Sequence, residues 1–405
     1  MPEDTYADIR SLLAEAASEI PALTPAPRWT VRRARRRAAA TVSFGLLALA
    51  FAVVVATPAI RAFRTSVPVV PGDFGRIESR IPTGDLPTSV AVGYGSVWVA
   101  NTGDATLVRI DPATEEILAR IDLGDIPVAP YEGELVLPYA DLQVEADASA
   151  VWVLATRTEE LIRVDPVTNS VVARIPVPAG QVMDAGAGAI WVTQFNGSVM
   201  RVDPVSDDIV ARIRTGPRPL GVHASAGAVW VVDDVAGTLT RIDPATNDVV
   251  AKVRTGANLA RGVAADRSAA WAVGCVARDG SRDPRVDPRD CDWAVLVVDA
   301  RTNELALTIP LFVEGGQAGP PAPTSGGWPF DVLAVGEGGV WAVPYTPICA
   351  NDTCPDEFLL RIDPATGATA TMEVGTGTID AAVLAGEVWV VVRNAGELVR
   401  IDLNA

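Results

Sequence analysis

One phrase recurs along this 405-residue chain. Residues 109–124 read RIDPATEEILARIDLG, 201–216 read RVDPVSDDIVARIRTG and 241–256 read RIDPATNDVVAKVRTG. The shorter form RIDPAT returns at 361–366. A period of 20–50 residues marks a repeat architecture and must be read before anything else. Tryptophan keeps the count at Trp98, Trp152, Trp191, Trp230, Trp271, Trp341 and Trp389. The intervals 152–191 and 191–230 are both 39 residues, and the others are longer by insertion.

Each unit has the same grammar. In the unit around Trp230, LGVHAS, AVWVVDD, TLTRIDP and DVVAKVRTG are four short runs rich in β-branched residues, punctuated by Gly, Pro and Asp. Such alternating runs are strands. The Asp-Pro junction suits a tight turn, since Pro presets φ and Asp accepts backbone hydrogen bonds. Four antiparallel strands in about 40 residues make one propeller blade. The sequence therefore predicts an all-β, seven-bladed propeller over 75–405. The last unit stops after three strands at LVRIDLNA, and an unmatched fourth strand, GRIESRIPTG, precedes the first unit. The N-terminal strand is expected to complete the C-terminal blade and close the ring.

These residues carry a family likeness. GSVWVANTGDATLVRIDPATEEILARIDLG resembles the YVTN-type propeller repeat and the virginiamycin B lyase-like propellers. The likeness covers 75–405 and implies the propeller fold. The lyase-like enzymes use more than one histidine with a glutamate at one propeller face. This chain holds a single histidine, His223, which is the only catalytic candidate carried over. The reading therefore leans away from an enzyme.

Ahead of the repeats, residues 38–57 (AAATVSFGLLALAFAVVVAT) carry no charge. About 20 apolar residues span the hydrocarbon layer as a helix. Six Arg lie between Arg28 and Arg37, against Arg61 and Arg64 beyond the segment. Arginine excess marks the cytoplasmic side. The expected layout is a cytoplasmic leader over 1–37 with a short amphipathic helix and the Arg run, a transmembrane helix over 38–57, a linker over 58–74, and an extracytoplasmic propeller. The leader resembles those of many actinobacterial membrane proteins. A cleaved signal peptide is the rival reading, but a 37-residue leader is long for one and no A-x-A site precedes Pro58. Residues 65–405 carry 24 basic against 45 acidic groups, which argues against nucleic acid as a partner.

Insertions mark a face. The turns after first and third strands are short and uniform. Residues 125–139 and 313–329 lie in fourth-to-first connections, and 276–290 and 346–357 in second-to-third ones. All four rise from one end, away from the point where the linker enters. Variable loops on a rigid scaffold carry function. This face is expected to meet a protein, glycan or small-molecule ligand. Its singular polar residues are the contact candidates: Asn101, Asp141, Gln194, Arg218, Asp233, Asp234, Arg261, Tyr345 and Arg393. Two of the insertions hold Cys275, Cys291, Cys349 and Cys354. Local pairing, 275–291 and 349–354, is one of three connectivities and the closest in sequence.

Repetition also separates scaffold from site. The Trp series and Arg109, Arg163, Arg201, Arg241, Arg361 and Arg400 recur, so they are read as structural. Seven residues before each Trp, on the innermost strand, stand Ala91, Glu145, Asp184, His223, Ala264, Ala334 and Ala382. Three consecutive blades thus place polar groups where four place Ala. Glu145, Asp184 and His223 are candidates for a ligand or divalent-cation site, or for acid–base chemistry. A buried polar network lining the axis is the structural alternative. No G-x-S-x-G elbow is present, and the glycine turns are too tight for phosphate loops.

Overall fold

The computed structural model describes residues 69–71, 74–127, 142–225, 227–277, 291–311, 330–344, 358–364, 366–375 and 377–405. The leader, the apolar segment 38–57 and most of the linker lie outside the described residues. Among those described, no helix is long and apolar enough to cross a membrane.

The chain forms seven antiparallel sheets, each built of four consecutive strands except at the ends. Numbering from the N-terminus, the innermost strands are Pro87–Gly93, Leu142–Ala146, Gly180–Gly186, Pro219–Ser225, Asn258–Ala265, Phe330–Gly336 and Thr378–Leu384. Each innermost strand packs against the next, and the seventh packs against the first, so the blades form a ring. Blade 7 is completed by Arg76–Pro82, which pairs antiparallel with the last strand, Glu397–Asp402. This is the closure the unmatched N-terminal strand predicted.

The core divides into seven clusters, one at each blade interface. A marker Trp sits in each, and six of the seven are completely buried. Each ring removes on the order of 200 Å² from water. At about 25 cal/mol per Å² that contributes roughly 5 kcal/mol before entropy is charged against it.

The repeated phrase has a physical role. Its Arg stands opposite the marker Trp and lays its guanidinium over the indole at 5.1–5.7 Å in six blades. In five of them the guanidinium then reaches into the next blade. Arg109 Nη1 donates to Asn169 Oδ1 (3.1 Å), Arg201 Nη1 to Pro244 O (2.7 Å) and Asn247 Oδ1 (2.8 Å), and Arg241 Nη1 to Asn303 Oδ1 (3.0 Å). Arg163 pairs with Asp207, and Arg400 with Glu115 across the closure. Each side-chain acceptor ends a tight turn after the third strand in the left-handed conformation, with φ between 53° and 65°. Asn and Asp tolerate that region better than most residues. Blade 5 is the exception, because Val297 faces its Trp. The turn that would receive its Arg carries Gly367, with φ of 73° and no side chain to accept. Donor and acceptor are missing together.

Outer edges are also managed. The fourth strand of blades 1, 2, 3, 4, 5 and 7 is broken by a bulge against its neighbour. Bulges blunt an edge against pairing with other chains. Only the fourth strand of blade 6, Thr369–Glu373, keeps an unbroken register. That edge is covered by Val69–Pro71, which pairs with it in parallel. This strand lies within the stretch expected as linker.

Candidate functional site

The register places all seven sequence-derived inner positions where counting put them. Ala91, Glu145, Asp184, His223, Ala264, Ala334 and Ala382 each stand directly opposite their marker Trp. Six of them, all but Ala264, line an axial cavity of about 300 Å³. The cavity has two halves. Blades 2 to 4 present Glu145, Asp184 and His223, while Val263, Ala334, Val335 and Ala382 of blades 5 to 7 add carbon to the lining.

His223 is held at both nitrogens. Nδ1 lies 3.1 Å from Asp184 Oδ2, and Nε2 donates to Ala265 O at 3.0 Å. A carboxylate and a carbonyl can only accept, so both contacts favour the doubly protonated ring. Burial opposes that charge, but the Asp184 carboxylate and its hydrogen bond outweigh burial and raise the pKa above the ordinary 6.5. A histidine in this state has no lone pair for a metal or for a substrate proton. Asp184 Oδ2 also accepts the Ala224 N–H at 2.6 Å, tying blade 3 to blade 4. Among the described residues, no group of three His, Cys, Asp or Glu side chains is arranged to hold a metal ion.

A fourth ionisable group joins the three. Asp380 of blade 7 sits two residues before Ala382 and also lines the cavity. Its Oδ2 accepts from Ser89 Oγ (2.8 Å) and Val90 N (2.9 Å) of blade 1, and its Oδ1 from Ala381 N (2.8 Å). Ser89 Oγ in turn accepts the Val144 N–H of blade 2 at 3.1 Å. Gln143 carries the stitching onward, donating to Gln181 O (2.7 Å) and accepting from Met183 N (3.2 Å) of blade 3. Most of the polar lining therefore fastens one inner strand to the next.

Glu145 does not. Neither a hydrogen bond nor an ion pair holds its carboxyl among the described contacts. The residue is half-buried, and it lines the axial cavity. Burial, then the charges of Asp184 and Asp380, push its pKa well above the ordinary 4.5.

The face candidates divide. Asn101, Gln194, Asp233 and Asp234 are buried. They close the turns at the ends of second strands. Asn101 Nδ2 donates to Thr106 Oγ1 (3.1 Å), Gln194 Oε1 accepts from Ser198 Oγ (2.9 Å), and Asp233 accepts from Ala236 N (2.7 Å) and Arg218 N (2.8 Å). Asp234 accepts a bidentate pair from Arg218, whose side chain stays half exposed. These four offer almost no surface to a partner. Arg393 is partly exposed. Asp141, Tyr345 and the side chain of Arg261 lie outside the described residues. Cys275 is buried on the second strand of blade 5, opposite Trp293. Cys291 is two positions along the same face of the neighbouring strand, opposite Ala277. Cys349 and Cys354 lie outside the described residues.

No protein-family model matches the chain, and no curated protein matches it in sequence. A solved structure, Kuenenia stuttgartiensis hydrazine synthase, superposes with a TM-score of 0.59 at 12% identity. It covers 81% of this chain and 99% of that one. At that identity the likeness shows the fold alone: a seven-bladed β-propeller.

Proposed function

We propose that this chain is a membrane-anchored, extracytoplasmic binding propeller that receives a protein, peptide or glycan on its loop-bearing end. One observation carries the reading. The connections spanning 128–141, 278–290, 312–329 and 345–357 all join second to third or fourth to first strands, and so leave from the same end of the ring. The first-to-second and third-to-fourth connections at the other end are short turns. The closing strand Arg76–Pro82 begins at that plain end, where Arg76 stands opposite Asp402. An anchor at 38–57 would thus feed the plain end and leave the long loops facing away from the membrane. Disulfides 275–291 and 349–354 would pin two of those loops in an oxidising compartment. The repeat's likeness to YVTN-type and virginiamycin B lyase-like propellers supports a common lineage, while His223, lacking a free nitrogen, argues against a lyase centre built on it.

Trypsin applied to intact cells expressing the full chain tests the placement. Cleavage at Arg278, Arg282, Arg285 or Arg289 before lysis is expected. Protection until lysis refutes the outward orientation.

A further inference from the structure

The axial cavity is built unevenly, and the unevenness points to a ligand. Of its four ionisable groups, three are satisfied by the protein. Asp380 accepts three hydrogen bonds. Asp184 and His223 neutralise each other and are tied to neighbouring backbones. Glu145 alone, half-buried on the cavity wall, has no protein partner among the described contacts. A half-buried carboxyl in a cavity, with no donor from the protein, is a place where an outside donor is rewarded. Beside the Asp184–His223 pair, Asp380 and Glu145 add two further carboxyls to the cavity.

The rest of the wall says what kind of cation fits. A hydrated metal ion needs oxygen or imidazole ligands on several sides. Here Val263, Ala334, Val335 and Ala382 supply carbon to the lining, beside Asp380 of blade 7. We propose that the cavity binds a small organic cation, an alkylammonium whose N–H groups donate to Glu145 and whose carbon chain rests on the Ala and Val wall of blades 5 to 7. An ammonium supplies three donors to the one carboxyl that lacks them. The volume of about 300 Å³ admits a ligand of a few carbons. This site is separate from the loop-bearing end and stands or falls independently of the partner proposed there.

Butylammonium chloride is the probe, with 1-butanol as the neutral analogue and sodium chloride at equal ionic strength as control. Calorimetric titration and thermal melts use the full chain in mild detergent. Butylammonium is expected to bind and raise the melting temperature, while butanol and sodium chloride do neither. Glu145→Gln is expected to weaken butylammonium at least tenfold. Ala334→Leu, which fills the apolar half and leaves Glu145 intact, is expected to block it as well. No binding to the wild-type chain, equal binding by Glu145→Gln, or butanol binding as well as the amine would each overturn the proposal. A cooperative melt in both variants excludes misfolding as the cause of a loss.

Discussion

Replacing Arg201 with Met tests whether the repeated phrase acts as a clamp between blades. Methionine keeps an apolar stem against Trp191 and removes the charge and the donors. The guanidinium makes two bonds to the next blade, at 2.7 Å to Pro244 O and 2.8 Å to Asn247 Oδ1. Bonds from a charged donor are worth about 1.5–3 kcal/mol each when the partner is left unsatisfied. Stacking on Trp191 at 5.3 Å adds about 0.5–1 kcal/mol. Part of the loss is returned, because Met needs no hydration and Pro244 O can find water. The expected cost is about 2–4 kcal/mol. Asn247→Gly removes the side-chain acceptor, while glycine suits its φ of 65°, so that change alone should cost about 1 kcal/mol. Combined, the two should cost less than their sum by about 1–2 kcal/mol, since the second has no contact left to break. Urea unfolding of the full chain in detergent reads this as a midpoint shift at constant slope. Strict additivity would refute the clamp and leave Arg201 as a packing residue.

The natural exception suggests a converse experiment: Val297→Arg should gain stability only together with Gly367→Asn, and a gain from the single Arg change would show that the turn acceptor is immaterial. Gly216→Ala should cost at least about 2 kcal/mol by thermal melt, because the added carbon would stand 1.9 Å from Oδ2 of buried Asp233; a neutral result would mean the turn yields freely. Two raised pKa values make the fold less stable as pH rises. The folded chain holds the Glu145 proton more tightly than the unfolded chain, so stability falls as pH climbs from 4.5 towards its raised value, and Glu145→Gln should remove that part of the slope. The stabilisation from His223 is complete below 6.5 and is lost as pH passes its folded value; an NMR titration giving a value at or below 6.5 would contradict the doubly bonded imidazolium. Non-reducing peptide mapping should recover Cys275 joined to Cys291 and Cys349 joined to Cys354, and a link between the two loops would overturn the local pairing.

What the sequence disclosed follows from repetition. A fixed step from each Trp located seven cross-strand partners, because every blade repeats the same register. The same step could not find Asp380, which lies one inward-facing position further from its Trp and is the only acid in its series. Counting could identify Glu145, Asp184 and His223 as neighbours but not separate their roles. Those depend on Ala224 N–H and Ala265 O, backbone groups of adjacent blades that carry no sequence signature. Asn101, Gln194 and Asp233 misled for a related reason. A polar residue beside a turn reads alike whether it faces solvent or closes the turn from within. The strand Val69–Pro71 has too few residues for any period to show, and only the unbroken edge beside it explains its place.

The closure of the ring has a consequence for biosynthesis. Arg80 and Glu397, which face each other across it, are separated by 317 residues. The strand Arg76–Pro82 leaves the ribosome long before its partner Glu397–Asp402. Until then the first strand of the domain has no neighbour to pair with. At about 5–20 residues per second that wait lasts tens of seconds. Ring closure is therefore a contact of very high sequence separation, the slow kind.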